Sequence, residues 1–180
     1  MVKKIRKAVF LDRDGVLNIP IIKNKKSFAP LRLKDFRLYP NVENFCKILK
    51  KNFLLIVITN QPDFLKKKIS LNILKEMNNL LKKKINYDDL FYSLSSNPKN
   101  LYRKPNIGMF LKAKKKFSID VEKSYLIGDR FTDIELARKV RCRSIFIDRK
   151  YNEKQPVTQI FTAKSFTQAV KFIIKNNKNS

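Results

Sequence analysis

The chain of 180 residues contains no histidine. That absence removes Ser-His-Asp and Cys-His nucleophilic catalysis, phosphohistidine chemistry and any zinc site with a histidine ligand. Cysteine is nearly absent too: Cys46 and Cys142 lie far apart, with no Cys-x-x-Cys pair. They read as small core residues of a protein kept in a reducing compartment. Long apolar runs are missing. The longest, Phe53 to Ile58, is far too short to span a bilayer. The basic N-terminal stretch leads into an apolar segment that Asp12 stops before it reaches signal-peptide length. A cytoplasmic protein without membrane contact is expected. Acidic residues are scarce, 15 against 41 lysines and arginines, for a net charge of +26. Such a field attracts anions, whether phosphorylated metabolites, nucleic acid or acidic lipid. The lysines fall in scattered runs, Lys66–Lys68, Lys82–Lys84 and Lys114–Lys116, that read as solvated helix faces and helix ends rather than one arranged stripe.

What is present is a regular alternation. The length and an ordinary 43% hydrophobic content predict one domain, residues 1–180, with a substantial core. Short apolar runs predict strands near 7–11, 53–58, 90–92, 125–127 and 144–147, with a weak one near Ile160. Between them lie helical patterns. Asn41 is placed to cap a helix with Val42, Phe45, Ile48 and Leu49 inward; Ser70 caps another with Leu71, Leu74, Met77, Leu80 and Leu81 inward. Further helices are expected over 106–117, 132–140 and 165–174. The fold class is therefore α/β: a Rossmann-like, mainly parallel sheet with helices on both faces and a minimal cap domain or none. Residues 18–40 carry Pro20, Pro30 and Pro40 and no clear period. They are expected to form an irregular flap over the carboxyl edge of the sheet. There is no internal repeat and no linker.

The polar residues gather at strand ends. Asp12 and Asp14, with Gly15, end the first strand; Thr59 and Asn60 end another; Arg103-Lys104 precedes a helix; Asp129, with Asp133 four residues on, ends a third strand. In a doubly wound sheet these ends converge on one crevice. Two carboxylates so close need a cation between them or a shared proton. A hard divalent ion such as Mg²⁺ suits that oxygen set, and the whole inventory suits phosphoryl transfer. The residues alone do not say which aspartate attacks.

Four stretches, Asp-Arg-Asp-Gly-Val-Leu-Asn (12–18), Thr-Asn-Gln-Pro (59–62), Arg-Lys-Pro-Asn-Ile-Gly-Met (103–109) and Gly-Asp-Arg-Phe-Thr-Asp (128–133), resemble in order the four motifs of the haloacid dehalogenase superfamily of aspartate-nucleophile phosphatases. Within it they look like the branch of histidinol-phosphate phosphatases and D-glycero-D-manno-heptose-1,7-bisphosphate 7-phosphatases. The resemblance implies a Mg²⁺-dependent phosphatase acting on a small phosphorylated metabolite such as a heptose bisphosphate. Asp12 is then the nucleophile and Asp14 the acid–base group. Asp12, the Asp14 backbone carbonyl and Asp129 hold Mg²⁺. Thr59 and Asn60 bind phosphate oxygens, Lys104 stabilises the transferring group, Arg103 and Arg130 contact substrate, and Asp133 supports the metal shell or orients Lys104. Members of the heptose branch carry a zinc loop before Arg-Lys-Pro. Here Ser93, Ser95, Asn100 and Tyr102 stand at the ligand positions, so no zinc is expected. The loop is left to its own hydrogen bonds and packing, and residues 18–40 to cover the non-reacting end of the substrate. Two other readings stand behind this one: a phosphatase of nucleic-acid 3′-phosphate ends, and a non-catalytic basic binding domain. Oligomeric state is not legible in the sequence.

Overall fold

The computed structural model describes residues 5–177. Six strands form one sheet: β1 (Ala8–Leu11), β4 (Leu54–Asn60), β5 (Asp89–Ser93), β6 (Tyr125–Gly128), β7 (Arg143–Ile147) and β8 (Phe161–Ala163). Their order is β5-β4-β1-β6-β7-β8, and every pairing is parallel. The chain runs outward from β1 through β4 to β5, then returns to β6 on the other side of β1. That reversal opens a crevice at the carboxyl end of β1, the usual ligand position in such sheets.

Strand residues alternate between two separate cores. Val9, Leu11, Leu55 and Val57 pack under α1 (Val42–Leu49), α2 (Leu71–Ile85) and α5 (Phe166–Asn177). Ala8, Phe10, Leu54, Ile56 and Ile58 pack on the opposite side with residues of α3 (Gly108–Phe117) and α4 (Phe131–Val140). Both faces of the sheet are thus covered, which is why its strands read as unbroken apolar runs.

Several local expectations change. Ser70 caps α2 through its side chain, which accepts from Ile73 N at 3.2 Å. Asn41 precedes α1 but makes no side-chain cap; it occupies the left-handed region at φ 64°, which asparagine tolerates well. The buried stripe of α1 runs through Val42, Cys46 and Leu49, and Ile48 is exposed. On α2 the inner face includes a polar residue, Asn78. Residues 18–40 are not irregular throughout: Ile21–Lys23 (β2) and Lys26–Phe28 (β3) form an antiparallel hairpin, and a short 3₁₀ turn spans Leu33–Asp35. The lysine runs 82–84 and 114–116 do end helices, whereas Lys66–Lys68 lie in turns between β4 and α2. Among the described residues no helix is long and apolar enough to cross a membrane.

Candidate active site

The loop leaving β1 closes on itself at once. Arg13 O accepts from Leu17 N (2.9 Å) and Asn18 N (3.1 Å), and Gly15 N donates to Asn18 O (2.8 Å). Gly15 takes φ 96°, and a Cβ there would lie 1.7 Å from Asp129 Oδ2. Both the backbone conformation and the close approach of the carboxylate therefore require glycine.

Lys104 ties the strand ends together. Its ammonium contacts Asp12 Oδ1 at 2.7 Å and Asp133 Oδ1 at 2.6 Å, and donates to Ile58 O at 2.9 Å. Two carboxylates and one carbonyl thus surround the ammonium. Asp133, in the first turn of α4, also accepts from Arg130 N at 3.2 Å through Oδ2, so one side chain caps the helix and aligns the lysine. Asn60 does the same for the lysine backbone: its amide donates to Lys104 O (3.1 Å) and its Oδ1 accepts from Lys104 N (3.0 Å). Its side chain, expected on a phosphate oxygen, is engaged in positioning.

Asp14 is held differently. Its carboxylate accepts from Arg13, from Asn18 Nδ2 at 3.0 Å and from Gln61 Nε2 at 2.6 Å. Gln61 also donates to Thr59 Oγ1 at 2.9 Å, linking the second motif to the first. Arg103 donates to Ser95 O at 2.8 Å. Arg130 faces the cleft, but its guanidinium is paired with Glu153 at 2.6 and 2.9 Å, an acid that sequence reasoning did not single out.

Seven of the nine expected site residues, Asp12, Asp14, Thr59, Asn60, Arg103, Lys104 and Arg130, line a single cleft of about 220 Å³. Asp129 and Asp133 are buried beside Asp12: an oxygen from each of the three lies within 4.8 Å of the others. The rim was not foreseen. Ser27, Phe28 and Ala29 of the hairpin form one wall, and Lys66 and Lys68 contribute cations. Nothing in their local sequence separates these lysines from the many others. Gln61 and Arg13 stood inside the quoted motifs; what marks them is their burial, which a sequence does not display.

Burial dominates the electrostatics. It raises Asp12 to about 6, with Lys104 pulling down and Asp133 pushing up. It holds Asp129 well above the usual carboxylate range, reinforced by Asp12 and Asp133. Burial alone would lower Lys104; the two carboxylates outweigh it and keep the ammonium above the ordinary lysine range. Two buried acids thus share one lysine while a third, Asp129, lies beside them, and the surplus negative charge calls for protons or a cation. Both Asp129 oxygens are shut off from solvent without a donor in bonding geometry, with the Tyr151 hydroxyl alongside. An orphaned carboxylate in an all-oxygen cluster fits a hard divalent ion.

The loop at 94–106 is held by its own polar groups. Asn106 Nδ2 donates to Pro98 O (2.7 Å) and Asn100 O (2.9 Å), and Asn100 Oδ1 accepts from Tyr102 N (2.9 Å).

Comparison with known proteins adds a lineage. The profile of the family described as polynucleotide kinase 3 phosphatase matches residues 7–172. A D-glycero-alpha-D-manno-heptose-1,7-bisphosphate 7-phosphatase from Campylobacter jejuni is 33% identical over 134 residues, 72% of this chain and 74% of that protein. A histidine biosynthesis bifunctional protein HisB from Bacteroides fragilis is 32% identical over 151 residues; the match takes in 79% of this chain and 39% of that longer protein. The crystal structure of D,D-heptose 1.7-bisphosphate phosphatase from B. bronchiseptica, complexed with magnesium and phosphate, superposes with a TM-score of 0.81 over 94% of this chain and 99% of that one. At 15% identity that likeness speaks to the fold.

Proposed function

From the premise that this chain belongs to the polynucleotide kinase 3 phosphatase family, a group of phosphoric monoester hydrolases with the haloacid dehalogenase fold, we propose that it hydrolyses a small phosphorylated sugar with Asp12 as nucleophile. One observation carries the assignment: Asp12 shares the buried Lys104 with Asp133 at a strand end, beside an Asp129 carboxylate without a donor in bonding geometry.

In this reading Lys104 anchors one oxygen of Asp12 and leaves the other for phosphorus. Attack forms an aspartyl-phosphate as the bond from phosphorus to the leaving oxygen breaks. Asp14 gives its proton to that oxygen, then takes one back from the water that cleaves the intermediate. Thr59 and Lys104 offer a hydroxyl and a charge to the phosphoryl oxygens. Asn60 serves by fixing the Lys104 backbone, and Arg103 meets the substrate. Asp12, Asp129 and the Asp14 carbonyl are the groups that would hold Mg²⁺. When bound, it offsets the repulsion between carboxylate and phosphate and polarises the phosphoryl oxygens. The hairpin wall covers the non-reacting end.

A phosphate-release screen over sugar phosphates, heptose 1,7-bisphosphate included, run with Mg²⁺ beside Asp12→Asn, tests this. Turnover by the wild type and none by the variant is expected; an inactive wild type across the panel would overturn it. The net charge of +26 and Lys66 and Lys68 at the rim favour a second reading, a nucleic-acid 3′-phosphate end as substrate. Release of phosphate from a 3′-phosphorylated oligonucleotide at a rate exceeding every sugar phosphate would select it.

A further inference from the structure

The turn after β1 contains a buried cation that the reaction described above leaves unused. Arg13 stands between the two aspartates, and its side chain is fully shielded from solvent. Its Nε and Nη2 donate to both oxygens of Asp14 at 3.1–3.3 Å, while Nη1 donates to Asn78 Oδ1 at 2.9 Å. The guanidinium carbon lies 5.5 Å from the centroid of the Phe36 ring. Asn78 is the polar residue on the inner face of α2, among Leu74, Met77 and Leu81. A buried amide is costly there unless it is hydrogen-bonded. Arg13 is that partner, and the Tyr87 hydroxyl, donating to Asn78 O at 3.2 Å, ties the same residue to the end of the helix. A planar fork gripped by a helix at one end and packed against a ring is held in one orientation, and it transmits that orientation to the carboxylate at its other end.

We propose that Arg13, anchored by Asn78, is a positioning residue that aims the Asp14 carboxyl at the leaving oxygen. This rests on the reading of Asp14 as the acid–base group. As the Asp12 oxygen bonds to phosphorus and the bond to the leaving oxygen breaks, the Asp14 proton passes to that oxygen. The Asp14 carboxylate is then left paired with Arg13. In the second half, water bonds to phosphorus, the bond between the Asp12 oxygen and phosphorus breaks, and the water proton returns to Asp14.

The test is sensitivity to the leaving group. A p-nitrophenolate leaves without a proton; a plain phenolate needs one. With Mg²⁺ present, kcat/KM on aryl phosphates reports formation of the aspartyl-phosphate. Asn78→Ala and Arg13→Lys are expected to lower kcat/KM for phenyl phosphate on the order of tenfold, and for p-nitrophenyl phosphate by less than about twofold. Asp14→Asn should show the same divergence, enlarged, and adding Asn78→Ala to it should cost nothing further. Equal losses on both substrates in the Asn78 and Arg13 variants, or additivity with Asp14→Asn, overturn the proposal. An Asp14→Asn enzyme that loses both substrates equally overturns the acid–base reading instead, and the inference falls with it. Arg13→Lys keeps the buried charge and serves where Asn78→Ala does not fold.

Discussion

Replacing Lys104 by methionine strands Asp12 and Asp133 in the interior without their common partner. Removing one member of a buried ion pair costs about 3–5 kcal/mol. Chemical denaturation of metal-free Lys104→Met near neutral pH should register a loss of that order, shrinking in acid as the carboxyls take up protons. A loss under about 1 kcal/mol would mean that the lysine does not carry the charge balance of the pocket. The carboxyls themselves predict how stability varies with pH. In the native protein Asp12 titrates at about 6, against 3.8 for the unperturbed side chain, and Asp129 is also raised. The folded state therefore holds protons that the unfolded chain releases. The share from Asp12 is complete below about pH 4 and is lost as pH rises through about 6, and the share from Asp129 is likewise lost as pH rises. Divalent cations bind the ionised carboxylates, so Mg²⁺ should raise the Tm more at about pH 7.5 than at about pH 5. An equal increment at both would count against a cation among these acids.

At the scale of elements, the β2–β3 hairpin is tied to the loop after β7 rather than to the sheet. Glu153 pairs with Arg130 and accepts from Ser27 N at 3.4 Å, and Asn152 N donates to Lys25 O at 2.8 Å. The ion pair is partly exposed, so Glu153→Ala should cost less than about 1 kcal/mol of global stability. It should nonetheless raise KM for a phosphomonoester substrate and speed proteolysis within 21–28, because the wall of the cleft loses its tether. A variant with normal KM and normal protease resistance would show that the wall stands without it. This tether also marks how far the sequence could be read. The sheet was legible because its strands are apolar runs between helical periods, and the strand-end acids because a doubly wound sheet has one place to put them. The hairpin was not, since its two strands are three residues each and half-polar. A sequence likewise does not reveal that Glu153, over 20 positions after Arg130, returns to pair with it. The engagement of the Asn60 side chain was hidden for the same reason: its partner is the Lys104 backbone, which leaves no mark in the sequence.

At the scale of the whole molecule, the charge of +26 should act on encounter more than on chemistry. For a dianionic substrate, kcat/KM should fall as salt rises from about 50 to 200 mM while kcat changes little, and a polyanionic substrate should lose far more. A flat salt profile for both would show that the lysines are mere surface.

The pocket floor draws on Asp12, Lys104, Asp129 and Asp133, so its parts are spread over more than a hundred residues of the chain. During synthesis β1 emerges before both of its neighbours in the sheet, which are separated from each other by more than sixty residues. Until β6 has left the ribosome, one edge of β1 is unpaired and the acid cluster of the pocket is incomplete. Stalled or truncated products will therefore be inert and, with an open strand edge, prone to aggregate.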